Sequence, residues 1–336
     1  MKAFAIADQF GIDALKLTER PDPTPGHGQV VVKVKAVSLN YRDLVTVKHG
    51  GMRNLRLPLI PCSDGAGEVV KIGPGVTRVK PGDRVAGTFF QTWLAGDITA
   101  SHGQSALGGA IDGMLAEQVA LHEEGLVQIP EHLSYEEAST LPCAAVTAWQ
   151  GLVTKGGLKA GDTVLVQGTG GVSIFALQFA LMAGARVIIT SSSEEKLARA
   201  KQLGAAEGIN YTTTPDWGKR VLELTDGEGI DHVVEVGGAG TLEKSFQAVR
   251  MGGTVSLIGV LTGAGGQVNP LPVLFKSIRL QGIYVGSREM FEAMNRAIAI
   301  HRMRPVIDRV FSFAQTREAF KLMESAAHFG KIVIAL

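Results

Sequence analysis

The chain is short of the residues that mark several whole classes of protein. Its only cysteines in 336 residues are Cys62 and Cys143, too few for a disulfide framework and in keeping with a reducing compartment. No apolar run reaches the roughly 18 residues that a membrane-crossing helix needs. The longest candidate, Ile174 to Ala185, is too short and follows a glycine turn. Charge of one sign is missing too: the formal net charge is +1, so no bulk field draws the chain to nucleic acid or to an anionic membrane. Asp8 follows Met1 to Ile6 before a signal-peptide core can form. The expectation is a cytoplasmic protein without nucleic-acid or membrane partners.

What is present is the composition of a packed globular protein, 45% hydrophobic and 19% charged over 336 residues. That excludes disorder and suggests two domains of roughly 100–200 residues each. The first third reads as β structure. Val30 to Val37 is a strand preceded by a loop, Pro21 to Gly28. Gly65 to Ile72 leads into Gly73-Pro74-Gly75, with a further turn at Pro81-Gly82-Asp83. Short antiparallel strands closing a small barrel are expected, with residues 90–113 as a long excursion. The texture changes near residue 125. Apolar runs at Thr163–Val166, Arg186–Thr190, Ile230–Val236, Gly253–Ile258 and Leu280–Val285 alternate with helical stretches such as Glu194–Leu203 and Thr241–Val249. This alternation predicts an α/β domain with a doubly wound parallel sheet covered on both faces. The expected organisation is a β-rich domain over 1–124, a parallel-sheet domain over 125–289, and a segment 290–336 completing the first. Its last strand, Lys331 to Leu336, would return there.

The most specific local feature is Val164-Leu165-Val166-Gln167-Gly168-Thr169-Gly170-Gly171-Val172-Ser173, ahead of an apolar helix. A buried strand, a glycine turn and a helix start are the context for dinucleotide binding. The glycines let the backbone approach a pyrophosphate, and the free N–H groups of the helix start point at it. Ser173 stands where the fingerprint has its third glycine, a position that needs only a small residue. At the end of the next strand, Ser191-Ser192-Ser193 replaces the carboxylate that binds the ribose diol of NAD. Hydroxyls donate to a 2′-phosphate and Lys196 supplies charge, so NADP(H) is favoured over NAD(H). Ser193 also reads as a helix N-cap, with Glu194 and Glu195 at the positive helix end.

Several stretches together resemble the medium-chain dehydrogenase/reductase superfamily, in its zinc-free quinone-oxidoreductase-like branch, over essentially the whole chain. They are Val37 to Leu44, Asp64 to Val70, Gly75 to Val85, Leu141 to Trp149 and His328 to Lys331. The resemblance implies a GroES-like catalytic domain built from both chain ends and a central Rossmann domain, with the active site in the cleft between them. Zinc-dependent members hold the metal with a Cys, a His and a second Cys or Asp. Here Asn40, Ser63 and Cys143 take those places, a poor ligand set for Zn²⁺, and residues 90–113 contain no Cys for a structural zinc lobe. No metal is expected. The resemblance also assigns Lys196 and Tyr211 to the 2′-phosphate. Thr147, the turn Thr169 to Val172, Val260, Leu261, Val285, Gly286 and Ser287 are assigned to the rest of the cofactor, with Lys331 as a weaker member. A homodimer extending the sheet through Leu280–Val285 is implied as well.

Without a metal, only hydrogen-bond donors polarise a carbonyl. A saturated ketone places nearly a full alkoxide charge on its oxygen, whereas an enone spreads it as an enolate. The sequence therefore favours conjugate reduction of an α,β-unsaturated carbonyl or reduction of a quinone. Asn40 is the leading oxyanion donor, Tyr41 the nearby proton donor, and Ser63 and Asp64 line the vacated metal place. Asp43 is expected to fix the local loop, and Trp93 and Trp149 to bound the substrate region, with a core role favoured for Trp149. An alcohol dehydrogenase and a non-catalytic NADPH-binding protein remain alternatives.

Overall fold

A computed structural model describes residues 1–51, 55–263 and 265–336. Contacts divide the chain into two compact units, Met1–Val146 with Gly286–Leu336, and Thr147–Val285.

The first unit holds β1 (Lys2–Ala5), β2 (Lys16–Glu19), β3 (Gln29–Ser38), β4 (Asp64–Ile72), β5 (Arg84–Gly87), β6 (Gln118–His122) and β7 (Leu126–Gln128). The second holds β8 (Thr163–Gln167), β9 (Arg186–Ser191), β10 (Glu207–Asn210), β11 (Ile230–Glu235), β12 (Val249–Leu257) and β13 (Arg279–Gly282). The chain then supplies β14 (Ile307–Ser312) and β15 (Lys331–Ala335) to the first unit.

β3 organises the first unit. Val30, Val31, Val32, Val34 and Val37 are buried, so both faces of the strand are covered and the run is apolar almost throughout. It pairs antiparallel with β4, β6 and β15, and the sheet runs β14-β15-β3-β4-β5-β7 with β6 also on β3. The terminal strand thus returns as expected. Its core joins Val30, Val32, Leu121, Phe320, Ile332 and Ile334.

The second unit is a six-stranded sheet in the order β10-β9-β8-β11-β12-β13, parallel at every pairing. Renumbered within the unit this is 3-2-1-4-5-6, the Rossmann order, whose ligand site lies at the carboxyl ends of the strands where the order reverses. That point falls between β8 and β11.

Three sequence expectations need correction. The boundary placed at residue 124 falls inside the first unit, because β7 pairs with β5 and the helix Tyr135–Ser139 packs on β3 and β4. The last parallel strand ends at Gly282 rather than Val285, because Val285 has φ 57°, a left-handed conformation that no strand accommodates. The unit boundary follows at once, Gly286 belonging to the first unit. β10 and the helix Trp217–Glu223 were not anticipated. β10 is a four-residue edge strand with one fully buried side chain, Ile209, and carries almost no apolar pattern.

Candidate active site

Three strand ends in the first unit bring a set of polar side chains together. Ser38 at the end of β3 pairs with Asp64 at the start of β4, which sets Asn40 and Ser63 side by side just beyond the ladder. On the other side of β3, Val333 pairs with Ser38 and Leu39 N–H donates to Ile332 O at 3.0 Å. The next step of the same register delivers Lys331 to Asn40.

The result is an oriented chain of hydrogen bonds. Lys331 Nζ donates to Leu39 O at 2.7 Å and to Asn40 Oδ1 at 2.6 Å. An ammonium has only hydrogens to give, so the atom it faces must be the amide oxygen, and the NH₂ of Asn40 points the other way. Asn40 Nδ2 reaches Ser63 Oγ at 3.4 Å, Ser63 Oγ donates to Asp64 Oδ1 at 2.7 Å, and the Cys143 N–H donates to Asp64 Oδ2 at 3.1 Å. Ser63 and Asp64 are wholly inaccessible and Lys331 is 2% exposed, while Asn40 is 8% exposed and has the most solvent contact of the four.

Burial dominates the charges. It raises Asp64 to about 6, against the opposing pull of Lys331 and the hydrogen bonds from Ser63 and Asn40. It lowers Lys331, against the attraction of Asp64. The thiols of Cys62 and Cys143 are pushed up by the same desolvation, well out of the range in which thiolates form near neutrality.

Asp43 builds the frame, as its sequence position suggested. Its carboxylate accepts the N–H of Asn40 at 2.8 Å and of Ser63 at 3.3 Å, and pairs with Arg42 at 3.0 Å. Arg42 also donates to Leu107 O and Gly108 O. Glycine is required at 113, where a Cβ would stand 2.1 Å from Cys62 O. This clamp holds Cys62 at φ 71°.

Other expected residues fall elsewhere. Tyr41 starts the helix Tyr41–His49 and is 53% exposed, outside the buried chain. Trp93 is buried, its indole N–H on Gly96 O at 3.0 Å and its ring stacked with His102, and Trp149 is half-buried with its ring edge-on to Phe179. Lys331, expected beside the cofactor, lies in the Asn40 chain. A charge opening the otherwise apolar run Ile332-Val333-Ile334 was the signal, since a buried strand must give it a partner.

In the second unit the glycine turn has the expected form. Gly168 has φ 70° and Gly170 caps the helix Gly171–Met182 in extended conformation. A Cβ at Gly170 would meet nothing within 4 Å, so the backbone there faces open space. Ser173, in place of the third glycine, donates its hydroxyl to Gln167 O at 2.6 Å and ties the helix to β8. Thr169 is buried and Val172 half-buried.

Behind the turn, Gln167 Nε2 donates at 2.7 Å to Glu235, which is fully buried at the end of β11. Glu235 also accepts Thr241 Oγ1 at 2.6 Å, Gly237 N at 2.8 Å, Gly238 N at 3.0 Å, and the Ser245 hydroxyl. Sequence reading missed this cluster, although a Gln and a Glu at strand ends flanking glycines were visible.

Ser191 and Tyr211 stand together at the ends of β9 and β10, with Tyr211 N–H on Ser191 O at 3.1 Å. Ser192 is exposed and Lys196 half-buried in the first turn of Glu194–Gln202. Ser193 Oγ accepts Lys196 N–H, the N-cap anticipated, and Glu194 is bound to Asn210 Nδ2 at 2.7 Å. Val260 and Leu261 are exposed beyond β12, Thr147 and Val285 are buried, and Ser287 caps the helix Arg288–His301. Gly286 lies against Val146, which a Cβ would meet at 2.4 Å.

Known proteins agree with this architecture. An alcohol dehydrogenase GroES-like domain model matches residues 26–131 and a zinc-binding dehydrogenase model residues 171–299. The chain is 45% identical to a zinc-type alcohol dehydrogenase-like protein of Schizosaccharomyces pombe, across 99% of both. It is 32% identical to a crotonyl-CoA reductase of Streptomyces avermitilis, over 96% of this chain and 82% of that one. A putative alcohol dehydrogenase from Sinorhizobium meliloti superposes with TM-score 0.94 at 44% identity, over 100% of this chain and 98% of the other. A mycobacterial structure complexed with NADPH does so at 0.83 and 27%, over the whole of both.

The fold and site thus define a nicotinamide-dependent oxidoreductase with a GroES-like and a Rossmann unit. The chain belongs to the medium-chain dehydrogenase/reductase superfamily. Among the described residues no helix is long and apolar enough to cross a membrane.

Proposed function

We propose that the protein is a zinc-independent, NADPH-dependent reductase of α,β-unsaturated carbonyls or quinones. The observation that carries this is the orientation of Asn40: its oxygen is taken by an ammonium, so what it offers a ligand is an N–H.

The zinc implied by the family does not fit these residues. A metal would need the Asn40 oxygen that Lys331 already holds at 2.6 Å, and would sit beside a buried positive charge. The Ser63 hydroxyl is committed to Asp64, and the Cys143 thiol is held protonated by burial. Among the described residues no group of three or more His, Cys, Asp or Glu is placed to hold a metal ion. An amide donor suits the lighter charge of an enolate better than that of an alkoxide.

Bound at the glycine turn, NADPH would supply the hydride that the β carbon of the enone takes up, and would be released as NADP⁺. The electron pair moves to the carbonyl oxygen, which the Asn40 N–H stabilises, and a proton from solvent then closes the α carbon. A quinone takes the same hydride and one proton to become a hydroquinone. Ser191, Ser192, Lys196 and Tyr211 support the 2′-phosphate, and the NADPH-bound mycobacterial neighbour supports the same preference. The crotonyl-CoA reductase relative supports conjugate reduction. A homodimer in the cytoplasm is part of the reading; β13 is a sheet edge beside exposed Leu274, Phe275 and Leu280.

The test is oxidation of NADPH by a simple enone such as 2-cyclohexenone and by a naphthoquinone, before and after exhaustive chelation. Turnover with either, undiminished by chelator, is expected. Alcohol oxidation without enone or quinone reduction, or activity that returns only with zinc, would overturn the reading.

A further inference from the structure

Lys331 has no role in the mechanism above, yet it is buried and donates to the Leu39 carbonyl and to the side-chain oxygen of Asn40. We propose that Lys331 is the positioning residue of the active site: its ammonium locks the Asn40 amide with the N–H side outward and supplies the fixed positive charge that a metal supplies in other enzymes of this chemistry. The proposal rests on the reading of Asn40 as the carbonyl-binding group.

The argument is one of orientation first. A primary amide can turn over at little cost, and the two faces have opposite uses. Presented by its NH₂ it stabilises a developing anion; presented by its oxygen it repels one. Only a donor without acceptor character forces the choice, and the Lys331 ammonium is such a donor. It is itself fixed by Leu39 O, the neighbouring carbonyl, so it cannot follow the amide if the amide rotates.

Charge is the second part. From Lys331 to Asn40 to Ser63 to Asp64, every hydrogen bond runs in the same sense, from the cation to the carboxylate. Such chains polarise each of their members, and here the buried amide is made a stronger donor than an isolated asparagine. Asp64 and Asp43 balance Lys331 and Arg42, so the site carries its cation without a net buried charge. Lys331 touches neither substrate nor cofactor in this role and acts through Asn40.

The test compares Lys331→Met, Lys331→Arg, Asn40→Ala and the double variant Lys331→Met with Asn40→Ala, using whichever carbonyl the wild type reduces. Removing a hydrogen-bond donor to an oxyanion lowers kcat by about a hundredfold to a thousandfold; Asn40→Ala should do so. Lys331→Met should lower kcat by about tenfold to a hundredfold and leave the NADPH dissociation constant, read by cofactor fluorescence, within about twofold. Lys331→Arg, which keeps the charge, should recover part of that kcat.

Adding Lys331→Met to Asn40→Ala should cost nothing more, since the amide through which the lysine acts is gone. Additive losses would reduce Lys331 to a structural residue, and a raised NADPH dissociation constant at unchanged kcat would make it a cofactor contact; either overturns the proposal. A wild type that reduces saturated carbonyls only would overturn the enone reading while this comparison still stands.

Discussion

Asp64 and Glu235 are both fully buried carboxylates at strand ends, one in each unit, and their surroundings differ in kind. Glu235 collects donors from Gln167, Thr241, Ser245, Gly237 and Gly238, and no Lys or Arg is among them. Asp64 receives Ser63 Oγ and the Cys143 N–H, with a buried lysine two side chains away. The first arrangement saturates its acceptor and ends there, knitting β8, β11 and the helix Ala239–Ala248 into one rigid corner behind the glycine turn. The second terminates a line of donors whose most accessible member is an amide. A saturated carboxylate is scaffold; one at the end of a directed chain is chemistry.

The largest effect that would sharpen this contrast is on stability. Glu235→Leu leaves a cluster of buried donors without an acceptor, and should cost about 3–5 kcal/mol of unfolding free energy. Glu235→Gln keeps one acceptor oxygen and should lose less. Denaturant melts followed by far-ultraviolet circular dichroism would show it. Were Glu235→Leu to melt with the wild type while losing catalysis, Glu235 would belong with Asp64 and the distinction between the two clusters would fail.

Next in size is Gly170, where the turn in front of Glu235 meets open space. Gly170 has φ −78°, which alanine adopts without strain, and its Cβ would touch no protein atom within 4 Å. If a pyrophosphate lies there, Gly170→Ala should weaken NADPH by about tenfold or more, roughly the 1.4 kcal/mol of one decade, with the melting midpoint unchanged. Unaltered affinity would move the cofactor off the turn. In contrast, Gly168 holds φ 70°, so alanine there should lower stability as well.

The two sites were unequally legible in the sequence, for a physical reason. The glycine turn is local: strand, turn and helix are consecutive, so Gly168 to Ser173 declared themselves by spacing alone. Ser191 and Lys196 followed from the missing carboxylate at the end of the second parallel strand, whereas Tyr211 came only from the family resemblance. The Asn40 chain is assembled from positions 40, 63, 64, 143 and 331, brought together by the registers of β3 with β4 and β15. The resemblance supplied Asn40, Ser63, Asp64 and Cys143, yet no spacing in the sequence reveals that a lysine 291 positions away faces the Asn40 oxygen. The Gln167–Glu235 contact spans 68 positions and was hidden in the same way.

The smallest effect is a pH dependence at Asp64. Burial lets folded Asp64 keep its proton up to about 6, whereas an unfolded chain releases it near about 4. Between those values the folded state binds more protons, so its stability falls as pH rises across the window and the loss is complete above it. The contribution is about 1–3 kcal/mol. Urea midpoints at pH 4 and pH 6.5 should therefore show a component that Asp64→Asn removes, since an amide has no proton to release there. Lys331 opposes the rise of Asp64, so Lys331→Met should let Asp64 hold its proton to still higher pH. An identical slope in wild type and Asp64→Asn would show that the Asp64 proton does not distinguish folded from unfolded chain.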